Sequence, residues 1–316
     1  MIELASFSAA VFPIILYLLF LWKFDRYNRE PFRYVLMNFF WGCIGSVIFT
    51  LLISSFFNFF TSIIITDKKV LDNINTIVFA PVIEETVKGA FLLIFIFSKE
   101  MENTSEGIIY GGAIGLGFGM SENFLYFLAN TQNIYNWIAI VIIRTLFSAI
   151  MHCVATATFG ASIGYAKFKG GFIALIAPFL GIAIAIFIHF FWNLTVSFNS
   201  TYWLGLAFVV ICIVIFIVLY AGAISNEKKI IYNELIEEAY AGLIPINHIN
   251  ILTSSLRNSR GWFNEYYKDF YIKTAVTLAL RKAQVRSARG YKRNKYLNEV
   301  ENCRDIIRNL FHNLNQ

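Results

Sequence analysis

Long apolar runs alternate with short polar breaks along most of the chain, and each run is long enough to cross a bilayer. A spanning helix takes about 20 largely apolar residues. That length picks out seven segments: 5–22, 35–64, 76–98, 107–129, 137–165, 172–197 and 202–224. The second and fifth exceed one bilayer thickness, which predicts tilt or an interfacial extension. From residue 225 onward the pattern changes. Glu234, Glu237 and Glu238 lie among apolar positions, and a basic helix follows through Arg281, Lys282, Arg286 and Arg289. Pro245 and Gly290 mark breaks in this region. The expected architecture is all-α: a polytopic membrane bundle of about seven transmembrane helices over 1–224, plus a small helical cytoplasmic tail over 225–316.

Composition supports the membrane reading. The chain of 316 residues is 58% hydrophobic and 15% charged and carries 33 Phe, which excludes a soluble domain of this length. Charge then adds orientation. Residues 1–224 hold 11 basic and 11 acidic residues, whereas 225–316 hold 15 basic and 9 acidic, so the whole excess lies in the tail. Loop 23–34 carries Lys23, Arg26, Arg29 and Arg33, and loop 166–171 carries Lys167 and Lys169. Loops 130–136 and 198–201 carry no Lys or Arg, although 65–75 has Lys68 and Lys69. The positive-inside rule puts the N-terminus outside and the tail in the cytoplasm of a multi-pass cell-membrane protein. A basic tail there faces an anionic lipid surface; a nucleic-acid partner has no motif behind it. Cys43, Cys153, Cys212 and Cys303 are isolated and suggest no disulfide framework or zinc ribbon. The start of the chain, with Glu3 and no basic residue before its first apolar run, does not read as a cleaved signal peptide.

Against this background, four polar clusters stand inside apolar spans: Glu84-Glu85-x-x-Lys88, Phe118-x-x-x-Glu122, Arg144 with His152, and His189-x-x-x-Asn193. Each charge at the bilayer centre costs ~2.5–3.5 kcal/mol even on the lenient insertion scale, so five of them must face one another rather than lipid. Counted from the predicted outer ends at about 1.5 Å per residue, Glu84, Glu85, Glu122, Arg144 and His189 share one level roughly 10–13 Å deep, with Asn193 a turn nearer the surface. Lys88 and His152 are expected nearer the midplane. Lys88 lies one turn from both glutamates, so one carboxylate can serve as general base while the other is held by Lys88 or Arg144. Gly111, Gly115 and Gly119 form a small-residue stripe that permits close helix approach and so brings Glu122 against its neighbour. Arg144 can neutralise a carboxylate or stabilise an oxyanion, His189 can relay a proton or ligate a metal, and Asn193 can donate to an oxyanion. No Gly-x-Ser-x-Gly elbow and no His-Glu-x-x-His helix is present. A divalent metal such as zinc remains compatible with the Glu and His donors, though the sequence requires none.

In this order the residues resemble the PrsW family of intramembrane proteases, which belongs with the CAAX prenyl protease and bacteriocin-processing superfamily. The resemblance starts at Asp25-Arg26-Tyr27-x-x-Glu30-Pro31 and runs through Ala80-Pro81-x-x-Glu84-Glu85-x-x-Lys88, Tyr110-Gly111 and Gly117-Phe118-x-x-x-Glu122-Asn123. It continues with Arg144, His152 and His189-x-x-Trp192-Asn193, and Glu237-Glu238-x-x-x-Gly242-x-Ile244 is similar to the family's tail. It implies hydrolysis of a peptide bond in a membrane protein substrate. By analogy Glu84 activates the water, Glu122 assists where the prenyl proteases use a histidine, and His189 and Asn193 position the water or stabilise the oxyanion. The family is associated with cutting a single-span anti-sigma factor near its extracytoplasmic side. Two other functions fit intramembrane Glu, His and Arg: an ion-coupled transporter, against which stands the lack of a visible inverted repeat, and a non-catalytic membrane scaffold or sensor.

Overall fold

Every regular element among the described residues is a helix. The computed structural model describes residues 1–24, 31–97, 101, 103–167, 169 and 171–314. The Asp25–Glu30 part of the family-like motif, with Arg26 and Arg29, lies outside that set. The chain begins with α1 (Ile2–Phe24), α2 (Phe32–Phe40), α3 (Val47–Ile64), α4 (Lys68–Ile74) and α5 (Ala80–Phe97). It continues with α6 (Thr104–Ala129), α7 (Ile134–Ile143), α8 (Ala149–Lys167) and α9 (Gly171–Val196). The last helices are α10 (Tyr202–Tyr240), α11 (Ile246–Leu252), α12 (Lys268–Ser287) and α13 (Gly290–Leu314). Wider π-helical turns, Trp41–Ser46, Asn75–Phe79 and Arg144–Ser148, join α2 to α3, α4 to α5 and α7 to α8. The second precedes Pro81, whose missing N–H cannot close a regular turn.

Local chemistry explains where helices begin. The Asp67 side chain accepts from the Lys69 and Val70 amides at the start of α4, and Asn133 does the same for Tyr135 and Asn136 at α7. Asn103 accepts from the Glu106 amide at 2.8 Å while its own amide donates to the Glu106 carboxylate at 2.9 Å. That reciprocal pair starts α6.

Five helical stretches have the length and apolar composition of a membrane crossing: Ile2–Lys23, Phe32–Ile64, Ile134–Lys167, Gly171–Val196 and Tyr202–Tyr240. The chain is a multi-pass membrane protein. The expected spans 76–98 and 107–129 are α5 with its preceding turn, and α6, and both fall outside that set. The reason is physical: α5 carries Glu84, Glu85 and Lys88, and α6 is rich in glycine. Ser105 through Gly119 of α6 are all buried, so this helix meets protein rather than lipid. A count of seven crossings therefore stands as a proposal in which α5 and α6 pass through the bundle interior.

The packing around α6 positions the site. It lies against α8 on one side and α1 and α2 on others. A Cβ at Gly115 would overlap the His152 carbonyl on α8, and one at Gly117 would overlap the Phe39 carbonyl on α2. Glycine is thus what allows backbone-to-backbone approach here, as the stripe predicts.

The described residues form two compact units, one running to Tyr220 and one from Ala221. The expected end of the last span at residue 224 falls inside α10, where the apolar run gives way to charged residues from Glu227 on while the helix itself continues to Tyr240. Gly242, at φ +77°, ends it, with its amide on the Ala239 carbonyl and the Leu243 amide on the Glu238 carbonyl. The second unit has its own core of Ile231, Leu235, Ile249, Tyr271, Leu278 and Ile307. Several of its basic residues are engaged within the unit: Arg286 with Glu234 at 2.9 Å, Lys282 with Glu238 at 2.7 Å, and Arg304 with both Glu238 oxygens. All four cysteines are free thiols.

Candidate functional site

Lys88 anchors the polar interior. Its side chain is fully buried, with the ammonium 2.7 Å from Glu85 Oε1, 3.5 Å from Glu84 Oε2 and 2.9 Å from His152 Nδ1. The ammonium also sits 3.8 Å from the centre of the Phe118 ring, whose π-face helps to compensate its lost hydration. The helical spacing puts both glutamates within reach of one lysine, and Glu85 takes the closer contact.

Glu85 is saturated. Its Oε1 also lies 2.9 Å from His189 Nδ1, and its Oε2 accepts from the Thr156 hydroxyl at 3.0 Å. Hydrogen-bond logic then assigns the imidazoles. A carboxylate facing His189 Nδ1 requires that nitrogen to donate, leaving Nε2 with a lone pair; Nε2 is 3.7 Å from Glu84 Oε2. An ammonium facing His152 Nδ1 requires that nitrogen to accept, so Nε2 donates to Glu122 Oε2 at 2.7 Å. The two rings meet edge to face with centroids 4.7 Å apart.

Glu122 Oε2 also meets a cation. Arg144 Nη2 pairs with it at 2.7 Å, as an ion pair rather than an aligned hydrogen bond. Arg144 Nε donates to Asn123 Oδ1 at 3.0 Å, and the guanidinium carbon lies 3.7 Å from the centre of the Tyr126 ring. Arg144 is thus held on three sides, at the first residue of the π-helical turn between α7 and α8.

Seven of the eight predicted residues therefore form one contact network: Glu84, Glu85, Lys88, Glu122, Arg144, His152 and His189. Asn193 stands apart from it and donates to the Thr76 carbonyl at 2.9 Å, tying α9 to the π-helical turn before α5. A cavity of ≈ 620 Å³ reaches the network, with Glu84, Glu122, Arg144, His152, Trp192 and Asn193 in its wall. Glu85, Lys88 and His189 lie behind that wall. Lys88 and His152, expected nearer the midplane, still reach the other residues through their side chains. Residue counting ignores side-chain length, and the π-helical turn shifts the register of α8 against Arg144.

Three neighbours went unread in the sequence. Thr156 lies one turn after His152, and Tyr126 one turn after Glu122, so helical spacing from known site residues was the available signal. Tyr202 lines the cavity with its buried hydroxyl lacking a hydrogen-bond partner among the described residues; nothing in its local sequence marks it.

Chemically, the centre of the arrangement is Glu84. Its Oε2 is buried without a hydrogen-bond partner, beside the free lone pair of His189 Nε2. Such a pair can hold and deprotonate a water or ligate a cation. Glu84, His152 and His189 each offer a donor atom, all within 4.8 Å of one another. Three N and O ligands with room for a fourth suit a catalytic divalent ion. Glu84 and His189 present free donors, whereas ligation by His152 requires release of Lys88 or Glu122.

Comparison with known proteins gives the family. The family model described as PrsW family intramembrane metalloprotease matches residues 30–221, which include every site residue above. Protease PrsW of Clostridioides difficile (strain 630) is 28% identical over 192 residues, 56% of this chain and 76% of that protein. Protease PrsW of Geobacillus kaustophilus (strain HTA426) is 28% identical over 204 residues, 63% and 84% of the two chains. Protease PrsW of Bacillus subtilis (strain 168) is 25% identical over 168 residues, 52% and 70%. No solved structure matches.

Proposed function

The chain belongs to the PrsW family of intramembrane proteases, and from that premise we propose that it hydrolyses a peptide bond near the extracytoplasmic end of a single-span membrane protein, of the anti-sigma-factor type. One observation carries the chemistry: Glu84 Oε2 is buried, unpartnered and 3.7 Å from His189 Nε2. A water hydrogen-bonded to both atoms loses its proton to Glu84 as it attacks the carbonyl carbon. Glu85 positions His189 by accepting from Nδ1, so that Nε2 stays available. Lys88 neutralises Glu85 and orders His152, whose Nε2–H holds Glu122. Arg144 balances the Glu122 charge and stands in the cavity wall, where a developing oxyanion can be met by a fixed cation. Asn193 acts through the Thr76 carbonyl to hold the cavity wall, with its second amide proton free to face substrate.

Glu84, His189 and His152 would also hold a divalent ion, zinc by donor type, and such an ion would polarise the peptide carbonyl as a Lewis acid. The test uses the full-length protein in proteoliposomes with candidate single-span proteins. Wild type cuts one of them, and Glu84→Gln slows cleavage by about 10²–10⁴-fold, the scale of general-base catalysis, with insertion unchanged. Equal cleavage by both proteins rules out Glu84 as the base. Inhibition by a chelator, reversed by added zinc, identifies the ion as a participant.

A further inference from the structure

A second cavity of ≈ 250 Å³ opens beside the first, between α3 and the start of α5. Ser54, Asn75 and Ala80 line both, so the two spaces share a wall. Beyond that wall the lining is mostly apolar, with Leu51, Phe57, Phe79 and Ile83 beside Ser55 and Asn58. The Phe57 and Phe79 rings meet with centroids 5.8 Å apart. At the mouth, Asn75 Nδ2 donates to Asn58 Oδ1 at 2.8 Å, and the pair's remaining amide atoms make no hydrogen bond among the described residues.

We infer that this side cavity is the specificity pocket of the protease, taking one large apolar side chain of the substrate next to the bond that is cut. The inference rests on the proposed proteolysis. Its size fits, since a cavity of about 150 Å³ lined by apolar side chains holds a benzene ring. Its position fits as well. Ala80 lies one turn before Glu84, about 6 Å along the helix, and an extended peptide advances roughly 3.3 Å per residue. The side chain that enters therefore belongs one or two residues from the scissile bond. The Asn58–Asn75 pair supplies amide donors and acceptors where an unwound substrate backbone would otherwise be unsatisfied in an apolar setting.

The experiment uses full-length protein in proteoliposomes and a library of single-span membrane proteins, randomised over a short window at the outer end of the span. Cut sites are read by mass spectrometry. Wild type is expected to select Leu, Phe or Met at one position beside the cut. Leu51→Trp fills the pocket and should shift that position to Ala, Ser or Gly, lowering the relative rate on Leu by about tenfold or more, the range a hydrophobic pocket commands. Phe79→Ala enlarges it and should raise the relative rate on Trp and Phe. Continued cleavage of small-residue substrates by Leu51→Trp shows that the variant is folded; if it does not fold, Phe79→Ala carries the test. Wild-type cleavage with the same selectivity in the variants overturns the pocket alone. No cleavage by wild type of any library member overturns the protease reading, and the pocket with it.

Discussion

The outcome at Lys88 shows what single residues contribute. It is fully buried among two glutamates and a histidine, and its removal leaves Glu85 a buried carboxylate with no cation beside it. Breaking a buried pair from one side costs about 3–5 kcal/mol. Lys88→Met is therefore expected to lower thermal stability in detergent and reduce the yield of inserted protein, whereas Glu84→Gln, an isosteric change that keeps Lys88 paired with Glu85, leaves both near wild type. Normal stability of Lys88→Met, measured by thermal unfolding, would remove the structural role given to this lysine. Five of the eight candidate residues could be picked from the sequence because intramembrane charge is expensive and they carried it; His152, His189 and Asn193 were legible from their helical spacing and hydrogen-bonding chemistry. Their partners could not: which glutamate takes Lys88, and which cation takes Glu122, depends on where helices distant in sequence meet. Thr156 and Tyr126 are neutral and common residue types, so energy alone never flagged them.

Among the elements, α6 decides whether the site assembles. Gly115 lies against the His152 carbonyl, so a larger residue must push α8 away and carry His152 from Glu122. Gly115→Leu should cost about 1–3 kcal/mol by overpacking and reduce cleavage more than tenfold, with Gly115→Ala milder; full activity in Gly115→Leu would show that the helices have slack. The stripe was legible as spacing. The π-helical turns were not, because nothing in their composition sets them apart from the α-helices they join.

The tail elements carry a pH dependence of their own. Burial raises the Glu238 carboxyl, but the Arg304 hydrogen bonds and Lys282 outweigh it and hold it below the ordinary 4.5. Hydrogen bonds from Arg286 and Lys282 lower Glu237 likewise. These acids contribute stability above about pH 4.5 that is lost as pH falls through their depressed folded values. His248, with Trp262, Phe263, Tyr271 and Phe311 around it, is pushed below its ordinary 6.5 by burial. Its unfolded form binds the proton first, so stability also falls as pH drops below about 6.5. Hydrogen exchange across α12, corrected for intrinsic rates, should show protection declining in two stages between pH 7 and 3. His248→Phe should remove the earlier stage; its persistence would assign that stage to another group.

For the whole molecule, apolar length and loop charge gave the multi-pass design and the helical second unit. α5 and α6 fall outside the stretches that apolarity alone marks as crossings, since apolarity identifies helices that meet lipid and says little about those enclosed by protein. The loop charges further predict that a reporter fused after residue 225 is cytoplasmic and that cysteine labels placed in 131–136 react from outside. The reverse result inverts the topology and moves the cut to the other face of the membrane.

The central claim is that a carboxylate-centred site cuts a substrate inside the bilayer, and the most direct test is the intact mass of products formed in sealed proteoliposomes. Full-length wild type, given a single-span protein, is predicted to yield two fragments whose masses place the cut in the outer half of the span, with Glu84→Gln forming them at least about a hundredfold more slowly. The contradicting result is intact substrate throughout, accompanied by a wild-type ion flux that Glu84→Gln abolishes, which would make these buried charges a transport path.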